Sequence, residues 1–131
     1  MTEKKIYSVA FVSSRPDKVV IQEFLKVENL IVEEIRCKGI VNFTEYANHT
    51  KRRYEIVVLS AECACGNMCS IVTAIKNEWD ASVIVISRKN SPDLEKEARN
   101  AGVLCYLTNS ERQYLHEVIQ KTIDYQSTRI E

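Results

Sequence analysis

Three thiols within seven residues, Cys63-Ala-Cys65-Gly-Asn-Met-Cys69, form the densest group of chemically able side chains in the sequence. Thiolates so close together suit zinc, copper(I) or a redox pair. Cys65 and Cys69 share a helix face if a helix begins early, with Cys63 folded back toward them. The paired C-x₂-C spacing of a structural zinc site is absent and no histidine lies near, so small buried thiols are the competing account. A second group is made of hydroxyls. Three apolar runs, Tyr7 to Val12, Tyr54 to Leu59 and Ser82 to Ile86, end at Ser13 and Ser14, at Ser60 and at Ser87. Brought to one place, these hydroxyls either line a pocket for a small polar ligand or merely cap strand ends. Glu62, two residues beyond Ser60, is the carboxylate expected nearby, and alone it is too little for a metal site.

The elements that must position these groups follow from apolar patterning. Tyr54 to Ser60 has no alternation, which marks a strand buried on both faces of a helix-covered parallel sheet. The runs at residues 7–12 and 82–86 read the same way. Leu30 to Cys37, with Glu33, Glu34 and Arg36 interleaved, reads as an edge strand, and Val103 to Leu107 as a fifth strand. Helices are expected from Pro16 to Val27, Asn42 to Lys51, Met68 to Glu78, Pro92 to Ala101 and Glu111 to Tyr125. In the first, Val19, Val20, Phe24, Leu25 and Val27 are assigned to the core and Lys18, Glu23 and Lys26 to water. Ser91 followed by Pro92 is a strong start signal, because the serine caps and the proline suits the first helical position. Five βα units in succession define an α/β, flavodoxin-like (βα)₅ doubly wound sandwich with a five-stranded parallel sheet in the order 2-1-3-4-5. In such a sheet ligands bind at the carboxyl ends of the strands, where the serines fall.

At 131 residues the chain is read as one domain, 1–131, with the polar residues 126–131 as a linker stub. Eighteen basic residues balance eighteen acidic ones, so no basic field for nucleic acid is present. The charged start, Met1-Thr2-Glu3-Lys4-Lys5, is unlike a signal peptide, and no apolar run is long enough for a membrane span, so a cytoplasmic protein is expected. Five cysteines, Cys37, Cys63, Cys65, Cys69 and Cys105, are an odd set that argues against a disulfide framework. Cys105 reads as a core residue, His49 and His116 as surface or interface histidines, Trp79 as the cover of a core edge, and Lys51-Arg52-Arg53 as a solvated helix end.

With these elements placed, Asn100-Ala101-Gly102-Val103-Leu104-Cys105-Tyr106-Leu107-Thr108 resembles the Ala-Gly-Ala-x-x-Tyr-Leu segment of two-component response-regulator receiver domains. Val83-Ile84-Val85-Ile86-Ser87 is similar to that family's fourth strand with its terminal Ser/Thr. The resemblance spans about Lys5 to Tyr125. It implies a phosphoacceptor aspartate after the third strand, an acidic pair after the first that shares Mg²⁺ with it, and a lysine after the fifth. Those positions fall here on Ser60, on Ser13 and Ser14, and on Asn109, while Ser87 and Tyr106 match the family's two switch positions. Hydroxyls supply neither the charge that Mg²⁺ requires nor the compensation a phosphoryl group needs in transfer. The expectation is therefore a degenerate, or pseudo-, receiver: not an enzyme, without cofactor or metal, signalling through protein contacts independently of phosphorylation. Its partner would be a kinase, another regulator or a fused output domain, or a second copy through residues 91–126, whose charged side chains include Glu95, Lys96, Glu97, Glu111, Arg112, Glu117 and Lys121. A thiol-based metal or redox sensor using Cys63, Cys65 and Cys69 is the alternative.

Overall fold

The computed structural model describes residues 5–36, 53–64, 67–89 and 91–129. The helix expected at 42–51, together with Cys37, His49 and Cys65, lies outside them. Strands β1 (Tyr7–Ser13), β2 (Leu30–Arg36), β3 (Ile56–Ser60), β4 (Ser82–Ile86) and β5 (Cys105–Leu107) form one parallel sheet in the order β2-β1-β3-β4-β5. Helices α1 (Lys18–Phe24), α2 (Met68–Trp79), α3 (Pro92–Asn100) and α4 (Leu115–Arg129) are described with it, the last preceded by a 3₁₀ segment, Asn109–Tyr114.

The central strand shows why its sequence lacks alternation. Val57 and Leu59 enter a core with Met68, Ile71, Val72, Ile75 and Tyr106, whereas Ile56 and Val58 enter the opposite core with Phe24, Leu115 and Ile119. Both faces of β3 are dry, so period 2 carries no polar residue. Trp79 closes the first core at the end of α2, its ring edge-on to Tyr54 with centroids 4.7 Å apart. Gly102, at φ +86°, turns the chain after α3 and leaves room for the Lys76 ammonium, which donates to the Gly102 carbonyl at 2.6 Å.

Two expected helices differ in register and extent. In α1 the buried positions are Val20, Glu23 and Phe24, with Val27 beyond the helix, while Leu25 is 81% exposed and Val19 39%. Positions 20, 23, 24 and 27 form one helical stripe, and Val19 and Leu25 fall off it despite being apolar. Glu23, expected in water, is on the stripe and only 2% exposed. The helix begins later than Pro16 because Asp17 is the N-cap, its Oδ1 accepting from the amides of Val19 at 3.1 Å and Val20 at 3.3 Å. At the other end of the chain, α4 runs through Arg129, where a linker stub was expected from residue 126. Gln126 Nε2 donates to the Glu55 carbonyl at 3.1 Å and bonds Ser82 Oγ at 2.9 Å, and the Tyr7 hydroxyl bonds Ser127 at 2.9 Å. Polar residues that read as solvated are spent on the amino ends of three strands, which fixes the last turns. Strand β5 is two residues shorter at its start than expected: the Val103 amide bonds back to the Ala98 carbonyl and completes the turn from α3, and the Leu104 amide bonds the Val83 carbonyl of β4 just ahead of the regular strand.

Candidate functional site

Three strands end side by side, with β3 between β1 and β4, so Ser13, Ser60 and Ser87 do share one end of the sheet. Their hydroxyls are not equivalent. Ser13 Oγ donates to the Arg15 carbonyl and accepts from the Arg15 amide at 3.1 Å. Ser87 Oγ repeats this two strands away, donating to the Lys89 carbonyl at 2.5 Å and accepting from the Lys89 amide at 3.1 Å. Each serine therefore closes a local turn with the residue two further on, and in both turns that residue is a cation. Ser60, half-buried between them, makes no side-chain hydrogen bond among the described residues, and Ser14 is exposed.

Charge reaches this end from residues that carry no local signal of the role. Asp17, 5% exposed, uses its Oδ2 to accept from Arg88 Nε at 3.3 Å and from Arg112 Nη1. Arg88 also donates from Nη2 to the Pro16 carbonyl at 2.6 Å, and Arg112 from Nη2 to Asn109 Oδ1 at 3.0 Å. Glu62 accepts the Arg88 backbone amide on Oε1 at 2.5 Å. One carboxylate thus ties the loops after β1, β4 and β5 together, and a second ties in the loop after β3. An aspartate just before a helix is an N-cap signature legible in sequence. Its partners stand 71 and 95 residues away, and nothing in the sequence pairs them. Arg112, read as part of an exposed charged face, instead points into this cluster.

Buried polar atoms accompany the network. Glu62 Oε2, the Tyr106 hydroxyl and Arg112 Nε are enclosed without a hydrogen bond among the described residues. The Tyr106 hydroxyl approaches Ser87, whose proton is committed to the Lys89 carbonyl, and it makes no bond of full geometry. Burial pushes the Tyr106 phenol above its ordinary value; Glu62 and Glu95 add to the rise and Ser87 opposes it. Burial likewise raises the Cys105 thiol, a half-buried residue of β5. In the loop after β5, Glu111 reaches back to the Thr108 amide at 3.0 Å, which holds its carboxyl below the usual range.

These residues do not fit Mg²⁺. A divalent cation at the strand ends needs free carboxylate oxygens. Asp17 is taken by two guanidiniums, Ser13 by its own turn, Glu62 keeps only its enclosed Oε2, and the neighbouring turns present Arg15, Arg88 and Lys89. Nor do three His, Cys, Asp or Glu side chains come together as a metal site among the described residues. Of the thiols, Cys63 is buried and Cys69 exposed at the start of α2. A three-thiol cluster also requires Cys65, which lies outside the described residues.

No family model matches the sequence, and no curated protein is similar to it at the level of sequence. Solved structures are similar in fold. The signal receiver domain of an HD domain-containing protein from Pseudomonas fluorescens Pf-5 is 15% identical, with a TM-score of 0.74 over 98% of this chain and 95% of that one. A response regulator from Thermotoga maritima is 18% identical, with a TM-score of 0.69 over 91% and 98%. A signal receiver domain of a two-component histidine kinase from Clostridium thermocellum is 11% identical, with a TM-score of 0.71 over 88% and 96%. The chain therefore has the flavodoxin-like fold of receiver domains, with the strand order 2-1-3-4-5. No helix among the described residues is long and apolar enough to cross a membrane.

Proposed function

We propose that this chain is a receiver-like signalling module that acts through protein contacts without phosphoryl transfer. The observation that carries this reading is the state of the carboxylates at the strand ends. Asp17 is saturated by Arg88, Arg112 and two backbone amides, and Glu62 is bonded through Oε1 to the Arg88 amide and keeps only an enclosed Oε2, a single unoccupied carboxylate oxygen that is too little for Mg²⁺. Among the described residues the Ser60 hydroxyl has no hydrogen-bond partner, so no base is engaged to take its proton, and a neutral hydroxyl is a weak nucleophile. The buried Tyr106 supports a signalling face held in one arrangement.

The partner surface in this reading is α3 with β5. Lys96, Glu97 and Arg99 are exposed there, Glu95 is paired to Arg99 at 2.9 Å, and a groove of about 420 Å³ runs between α3 and Thr108. Charges of mixed sign favour a specific, salt-sensitive contact with a kinase, a regulator, an output domain or a second copy. The part of α4 once grouped with it is divided. Glu117 and Lys121 line a separate groove with Lys26 and His116 on the α1 side. Two measurements test the proposal. Incubation with acetyl phosphate and Mg²⁺ leaves the intact mass unchanged, and an acid-labile adduct on Ser60 would overturn the reading. Charge reversal at Glu95 and Lys96 weakens self-association or capture of a partner without moving the melting temperature, whereas unchanged binding would misplace the surface.

A further inference from the structure

We infer that β2 is an interface between two copies of this chain, pairing edge to edge with its counterpart in an antiparallel arrangement about a two-fold axis. The open backbone carries this first. Among the described residues β2 is hydrogen-bonded as a strand to β1 alone, so its other side faces outward. The Asn29 carbonyl accepts the Tyr7 amide at 2.9 Å, which directs Asn29 toward β1. By the two-residue alternation of a strand, Leu30, Val32 and Glu34 then direct their amides and carbonyls outward. Natural edge strands are blunted by lysine, proline, bulges or charge. The first half of β2, Leu30-Ile31-Val32, has none of these, and charge begins only at Glu33, Glu34 and Arg36.

The side chains on this edge complement themselves. On one face Ile31 is 53% exposed. On the other, Ile21, Leu25, Leu30 and Val32 line a groove of about 400 Å³ between α1 and β2, and Leu25 projects beside it. A projecting side chain next to a groove suits an isologous contact, in which the two-fold sets the knob of each copy at the groove of the other. The occupant must be a strand that is apolar where β2 is apolar and absent where β2 is charged, and β2 itself meets both conditions in an antiparallel pair centred on Ile31. Leu30 then lies opposite the partner's Val32 with their outward backbone groups bonded, and the two Ile31 side chains meet in a non-hydrogen-bonded pair, where side chains stand closest. Asn29, at φ +63°, turns the chain off the strand line, so the charged half of each copy passes beyond the end of the other into water. In that half Glu34 is already paired with Arg36 at 3.2 Å, and Glu33 accepts the Tyr54 hydroxyl at 2.5 Å. The chain carries no net charge, so two copies approach without overall repulsion. Strands β2 and β5 are opposite edges of the sheet, so the pair leaves the α3–β5 surface of both copies open.

The test is sedimentation equilibrium of the full chain from micromolar to millimolar concentration. The expected result is a reversible monomer–dimer equilibrium with a dissociation constant on the order of 100 µM, as suits a small contact. Leu25→Glu and Ile31→Lys, both at exposed positions, each weaken it at least about tenfold without moving the melting temperature. Ile31→Cys under mild oxidation gives a covalent dimer, because Cα atoms of a non-hydrogen-bonded pair lie about 4.5 Å apart, within disulfide reach. Glu34→Cys, in the charged half, cross-links no more than the parent, which is the control because its Cys69 is exposed. A chain that stays monomeric at every concentration, or a dimer that survives both surface variants, overturns the inference and leaves the edge to a strand of another protein. A dimer lost on charge reversal at Glu95 and Lys96 and kept in Leu25→Glu also overturns it, while supporting the α3–β5 surface of the proposed function. The opposite pattern supports the β2 edge and leaves α3–β5 to a different partner.

Discussion

Helix α1 buries one carboxylate at its N-cap, Asp17, and another in its last turn, Glu23, and the two are satisfied in different ways. Asp17 meets two arginines from the loops beyond β4 and β5 while capping its own helix, so it gathers chain segments that come together only at the strand ends. Glu23 meets its neighbour Lys26 at 2.6 Å and, across the seam to α4, the His116 amide at 3.2 Å and ring Nδ1 at 2.7 Å. Burial opposes ionisation of Glu23, but the hydrogen bonds from Lys26 and His116 together outweigh it and hold the carboxyl below its ordinary value. The first carboxylate organises a site, and the second fastens two helices. The same residue class, equally hidden from water, takes its role from where its donors originate.

The largest effect is expected from Asp17→Ala. It removes a helix cap and leaves two guanidiniums facing each other, at a cost of about 3–5 kcal/mol. Urea unfolding measures this, and a midpoint within error of the parent would show that the arginines relax freely into solvent. Asp17→Asn keeps the cap geometry but not the charge, so it should fall between the two.

Glu23→Gln should cost about 2 kcal/mol at neutral pH, since the His116 and Lys26 donors lose a charged acceptor. The sign of the pH dependence follows from its depressed value. The carboxylate's contribution is complete above the ordinary value of 4.5 and is lost as pH falls through the lower folded value. The gap in stability between parent and variant should therefore shrink as pH falls below 4.5. A gap that widens there would mean that Glu23 is held protonated.

The smallest effect belongs to the exposed pair Glu95 and Arg99, one helical turn apart on α3. Neutralising Glu95 should change stability by less than about 0.5 kcal/mol, because both side chains remain hydrated. A loss comparable to that of Glu23→Gln would mean that α3 is clamped by this pair, and the contrast between surface and buried carboxylates would fail.

Much of the architecture was legible because it depends on short-range patterns. The unbroken apolar runs of β1, β3 and β4, the Ser91-Pro92 start of α3 and the glycine after it are local statements about burial, capping and backbone freedom, and each is found at its expected place within a residue or two. Where apolarity alone decided the face of α1, the assignment of Leu25 and Glu23 was reversed, because the helical stripe outranks the hydrophobicity of one position.

By itself the sequence determined the five strands and most of the helical residues among those described, that the sheet is parallel, and that serines stand at the carboxyl ends of β1, β3 and β4. Only the tertiary structure decided that Asp17 lies beneath Arg88 and Arg112, that Glu23 meets His116, and that Gln126 and Ser127 carry the last helix to the amino ends of the strands, opposite the serines. The reason is range. Burial periodicity and caps act over a few residues, whereas a charge is satisfied by whichever donor the completed sheet brings beside it, and that donor leaves no mark in the neighbouring sequence.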